Sequence, residues 1–143
     1  MKQPDTWSCQ AVCAVMVTGT TLQDFVEFVG HDGSGYCPES KHPDKRIGFS
    51  LIETAKFLLE HGYLLGALFV PEDEEYIEAD KIEMQISIEG RKVFFGVKSE
   101  RQTGNHVIYY DGEKVWDPNP AVMDGRRLSS YKIVDIIPLT EIA

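Results

Sequence analysis

Two short segments near opposite ends of the 143-residue chain carry side chains that do chemistry together. The first is Gln3-Pro4-Asp5-Thr6-Trp7-Ser8-Cys9, which runs straight into the apolar stretch from Ala11 to Val17. The second runs from His106 through Asp111-Gly112 to Trp116-Asp117. Thiol, imidazole and carboxylate are the parts of an activated cysteine nucleophile. The sulfur attacks an acyl carbon, the imidazole carries the proton, and the carboxylate orients the imidazole. Cys9 is expected at the head of a helix, where unpaired N–H groups and the helix dipole favour thiolate over thiol. The tetrahedral intermediate of such a reaction needs two donors for its oxyanion. The Cys9 N–H is one candidate and the Gln3 side-chain amide the other. Cys13, one turn further on, reads as a small buried hydrophobe.

The pairing of His106 with Asp117 rests on a turn. Asp111-Gly112 is a strong hairpin signal for a type I′ turn, which needs positive φ at both central residues. A two-residue loop there sets Tyr110 opposite Glu113 and His106 opposite Asp117, with β-carbons ~5 Å apart. A three-residue loop would set His106 opposite Pro118 instead.

With those residues in hand, the chain resembles the papain-like cysteine peptidases, above all the bacteriocin-processing leader peptidases and their stand-alone relatives. In that family a Gln stands six residues before the nucleophilic Cys at a helix start, as Gln3 does before Cys9. The helix continues in small and apolar residues, as Cys-Gln-Ala-Val-Cys-Ala-Val-Met (9–16) does. The family's His opens a strand and its Asp follows the next one, commonly as Asp-Pro. Here these are His106 and Asp117-Pro118. Gly48-Phe-Ser-Leu with the helix after it resembles a later family helix. Gln10, where the family usually has Gly, and Ser8, where leader peptidases often have Asp, depart from the pattern. The resemblance implies a papain-like fold and a cysteine-dependent hydrolase, a peptidase or amidase with an acyl-enzyme intermediate. It implies a peptide or protein substrate and requires no metal or organic cofactor. The same triad also serves acyl transfer or removal of a conjugated modifier, and a papain-like scaffold can be an idle binding protein.

The elements that must position these groups follow from periodicity. Ser8–Val17 reads as a helix with Cys9, Val12, Cys13 and Met16 on one face, capped by Ser8 or Asp5. Thr21–Val29 and Ser50–Glu60 are two further helices, the latter with a Ser50–Glu53 capping box. Strands are expected over Tyr63–Val70, Met84–Ile88, Lys92–Val97, His106–Tyr110, Lys114–Asp117 and Lys132–Leu139. Helices first and strands after describe one α+β domain over residues 1–143: N-terminal helices on a C-terminal antiparallel sheet. Gly30–Gly48 is dense in breakers and reads as an irregular loop, a candidate lid over the site. His31, Cys37 and His42 in it are a weak zinc alternative, since one cysteine is few for a structural site.

Composition bounds the partners. A net charge of −9 argues against a general nucleic-acid binder, which needs Lys and Arg to offset phosphates. No run of eighteen apolar residues appears, so no membrane span is expected. Three cysteines at scattered spacing make a poor disulfide framework and suggest a reducing, cytoplasmic setting.

Overall fold

The apolar run after Cys9 becomes α1 (Cys9–Thr18), in which Ala11 to Val15 and Val17 are all buried. A helix wrapped by apolar residues on nearly every side belongs in an interior. Gly19 ends it in the left-handed conformation, its N–H reaching Val15 O. In this computed structural model the described residues are 1–37, 45–66, 76–78, 90–98, 105–123 and 125–142.

Both α2 (Leu22–Val29) and α3 (Leu51–Glu60) begin with reciprocal capping boxes, Thr21 with Asp24 and Ser50 with Glu53. The start of α1 differs from expectation. Ser8 makes no side-chain cap bond. The Asp5 carboxylate takes the Trp7 N–H at 3.1 Å, before the helix begins. The first-turn amides of α1 are therefore left without a side-chain cap.

Six strands follow among the described residues: β1 (Tyr63–Leu65), β2 (Ile77–Glu78), β3 (Val93–Lys98), β4 (Asn105–Tyr110), β5 (Val115–Trp116) and β6 (Lys132–Glu141). Their order is β1-β6-β3-β4-β5, with β2 also on β6, and every pairing is antiparallel. The chain is thus α+β, helices first and an antiparallel sheet after. Residues 67–70 of the first expected strand, and the expected strand Met84–Ile88, lie outside the described residues. No helix among the described residues is long and apolar enough to cross a membrane.

One sheet face, with Phe94, Tyr109, Ile137 and Leu139, packs against α1 and against Phe25 and Phe57 from α2 and α3. The other gathers Val93, Phe95, Val97, Ile108, Val115, Tyr131, Ile133 and Ile136. Burial on both faces explains why β3 reads as an unbroken apolar run rather than an alternation.

Gly96 interrupts that run for a reason. Its N–H donates to Asp135 Oδ1 at 3.0 Å, and a β-carbon there would collide with the same carboxylate. Burial pushes the Asp135 carboxyl above its ordinary value, and the Gly96 N–H offsets only part of that. A raised carboxyl favours the fold while protonated and opposes it as pH rises through the folded value. Asp135→Asn keeps the acceptor without the charge. It should raise Tm at pH 7, with the gain vanishing toward pH 3; a scan of Tm against pH checks this.

Candidate active site

His106 is the second residue of β4, and its Nε2 lies 2.6 Å from Asp117 Oδ1. Asp117 follows directly on β5. The expected contact forms, but through a different turn. Tyr109 faces Trp116 and Tyr110 faces Val115, and Asp111 N–H reaches Lys114 O at 3.0 Å. The tight turn is centred on Gly112-Glu113, one residue later than expected. Gly112 has φ 101° while Asp111 does not take positive φ, so a type I′ turn over Asp111-Gly112 is absent. The Asp111 carboxylate instead accepts the N–H groups of Glu113 and Lys114 at 2.8 and 2.7 Å. In this register Asp117 falls opposite Ile108, so it approaches His106 as a diagonal neighbour. The shift moves the pairing by two positions, and side chains alternate with period two, so both groups keep the same face.

Asp117 is 3% exposed and fully engaged. Oδ1 also accepts the Asn119 N–H at 2.8 Å, and Oδ2 accepts the Tyr131 hydroxyl at 2.7 Å. Burial alone would raise its pKa. The bonds donated by His106, Tyr131 and Asn119, with the charge of His106, outweigh burial and hold it below the ordinary 3.8.

Helix α1 packs across β4. The Cys13 thiol donates to Val107 O at 3.5 Å, which fixes the helix one residue along from His106. One helical turn back from Cys13 comes Cys9, whose thiol lies near enough to the His106 ring to act on its pKa. Because Nε2 faces Asp117, Nδ1 is the nitrogen left for sulfur. Burial would pull the His106 pKa down. The hydrogen bond to Asp117 and the nearby Cys9 thiol, with negative charge on both, override burial and raise it to about 9. Cys13 is fully buried, and burial pushes its thiol well above the ordinary value, helped by negative charge on Cys9 and Asp117. It is a core residue, as expected.

The N-terminal segment is tied to the Asp117 loop. Gln3 N–H donates to Pro118 O at 2.8 Å, and Lys2 Nζ reaches Asp117 O at 2.9 Å and Val122 O at 2.6 Å. Gln3 is thereby carried to the residue after Asp117. Its Nε2 spends one N–H on Asp5 O at 2.6 Å, and its buried Oε1 has no hydrogen-bond partner among the described residues. Gln10, at the odd position in the resemblance, reaches sideways. Its Nε2 donates to Ser50 O at 3.1 Å and Thr54 Oγ1 at 2.5 Å, joining α1 to the start of α3.

The described parts of the Gly30–Gly48 stretch are more ordered than its breakers suggest. Cys37 N–H bonds Lys45 O, Ile47 N–H bonds Gly35 O, and Gly48 N–H bonds Gly33 O, at 2.7 to 3.0 Å. They form a two-sided arm. Trp7 Nε1 donates to Asp32 O at 2.9 Å, pinning the arm beside the segment that leads into Cys9. His31 Nε2 pairs with Glu53 Oε2 at 2.5 Å rather than with a metal ligand set. Among the described residues no three His, Cys, Asp or Glu groups converge on a metal position, and His42 lies outside them.

Tyr131, Lys2 and Gln10 support the site without any prior signal in the sequence. Tyr131 arrives from beyond a Pro- and Gly-punctuated stretch that carries no periodicity. No protein-family model matches this chain, and no curated protein matches it in sequence.

Proposed function

We propose that the chain is a cysteine-dependent hydrolase, a peptidase or amidase of papain-like arrangement, acting on peptide or protein substrates. One observation supports this above the rest. The His106 ring is bonded by Asp117 and has the Cys9 thiol beside it, at the uncapped start of a buried helix.

The reaction follows from the groups in place. The Cys9 thiolate, paired with the His106 imidazolium, attacks the carbonyl carbon of an amide. Negative charge on the carbonyl oxygen is met by the Cys9 N–H and by the Gln3 amide N–H that Asp5 does not use. His106 gives its proton to the leaving nitrogen, the C–N bond breaks, and a thioester to Cys9 remains. Water then attacks the thioester while His106 takes its proton. The acid leaves and the thiolate–imidazolium pair returns. Asp117 keeps Nε2 engaged throughout, so the ring presents Nδ1 to sulfur and substrate.

Incubation with a mixture of unstructured peptides, read by mass spectrometry, tests this. New peptide ends should appear and should vanish in Cys9→Ala. Uncut peptides beside a Cys9 that iodoacetamide alkylates quickly at pH 6 would favour acyl transfer or an idle scaffold. A Cys9 alkylated no faster than Cys37 at pH 6 would remove the activated thiol altogether.

A further inference from the structure

Arg46 occupies an unusual place beside this site. Its guanidinium lies 3.9 Å from the centre of the Tyr36 ring and 5.4 Å from that of Trp7. Nη1 donates to Ser34 O at 2.6 Å and Nη2 to the Tyr36 hydroxyl at 3.0 Å. Two aromatic faces and two hydrogen bonds hold a normally flexible side chain in one orientation. A guanidinium carries five N–H donors, so three remain. No carboxylate among the described residues takes them, although the chain has 23 Asp and Glu against 14 Lys and Arg. Tyr36 is 61% exposed, so the clamp opens to solvent.

The clamp is also fixed relative to the nucleophile. Gly33 and Gly48 press so closely on Trp7 that a β-carbon at Gly33 would meet its ring, and one at Gly48 would crowd its carbonyl. Trp7 precedes Cys9 by two residues, a span of at most about 7 Å. The guanidinium is thus tied to the chain two residues before Cys9, within reach of a side chain a few residues from a carbonyl placed at Cys9. A pre-oriented planar cation with N–H donors that no described residue takes matches one ligand chemistry best, a carboxylate.

From this placement we infer that Arg46, clamped between Tyr36 and Trp7, is a specificity subsite for a Glu or Asp side chain two to four residues from the cleaved bond. The inference rests on the hydrolase reading for the word cleaved, but not for the binding itself. The competing role is a staple that only holds the arm together.

The test uses short peptides in which Glu or Gln is walked through every position. Their binding to Cys9→Ala protein is measured by fluorescence anisotropy, and their cleavage by active protein as kcat/KM. Glu should be favoured over Gln by roughly tenfold or more at one position, the discrimination of a charge-assisted bond. Arg46→Gln should level that ratio, and Arg46→Glu should turn it toward Lys. A staple would alter all peptides alike. Each Arg46 variant is checked by its Cys9 alkylation rate at pH 6, which should match wild type if the arm and site are intact. A Glu/Gln ratio near one in the wild type, or one unchanged in Arg46→Gln, overturns the subsite. Binding preference without cleavage leaves the subsite standing and sinks the hydrolase reading; cleavage without preference does the reverse. Neither binding nor cleavage overturns both.

Discussion

Asp117→Ala should lower the unfolding free energy by about 3–5 kcal/mol, the usual cost of removing one partner from a buried charged pair. Three donors lose their acceptor at once: His106 Nε2, the Tyr131 hydroxyl and the Asn119 N–H. At this chain length that is about 10–15 °C in Tm. Asp117→Asn separates charge from hydrogen bonding. It leaves an oxygen for His106 and Asn119, so the fold should lose far less. The His106 pKa should then fall from about 9 toward its ordinary 6.5, because Cys9 alone is left to oppose burial. Calorimetry and an NMR titration of the His106 ring read the two effects. An Ala variant that melts with the wild type would show that this carboxylate holds nothing in place.

The pH dependence of the gap follows from the two shifts. Asp117 is held below its ordinary 3.8, so its contribution is present above that value and lost as pH falls through the folded pKa. His106 is raised from 6.5 to about 9, so its contribution is complete below 6.5 and lost as pH rises through 9. The difference in Tm between wild type and Asp117→Ala should be widest between those limits, at roughly pH 4 to 6.5, and should narrow above pH 9.

The sequence carried helices first and strands after, because α2 and α3 show helical apolar spacing and β3 an unbroken apolar run, whereas β2, two residues in an acidic stretch, gave no signal. The Ser50–Glu53 cap was legible because its two residues are local. The hairpin is more instructive. Its turn was misplaced by one residue, since Asp111 spends its carboxylate on the turn amides and leaves positive φ to Gly112. The His106–Asp117 contact survived because the resulting shift is even. A three-residue loop, with its odd shift, would have sent Asp117 to the other face. What stayed hidden depends on long-range partners. The Gly33–Cys37 and Lys45–Gly48 backbones pair without an alternating pattern to announce it, and Tyr131 meets Asp117 across an irregular stretch. The α1 cap failed for a local reason instead: Asp5 found a nearer amide in Trp7.

His106→Ala should slow iodoacetamide alkylation of Cys9 at pH 6 by about 10- to 100-fold, the range by which a neighbouring cation enriches a thiolate. At pH 10 the two proteins should converge, because an accessible thiol is ionised there without help. Cys37 serves as the internal clock. It is half-buried like Cys9 but stands outside the Cys9–His106–Asp117 network, so its rate should not change between the proteins. Cys13 should stay silent in both, since it is fully buried and its thiol is pushed up. The comparison separates the two influences proposed to act on Cys9. Uncapped amides at the start of α1 act on sulfur whether or not the ring is present, whereas the imidazolium acts only below its own pKa of about 9. An undiminished rate at pH 6 in His106→Ala would assign the reactivity to the helix alone. That result would count against the proposed Cys9–His106 couple.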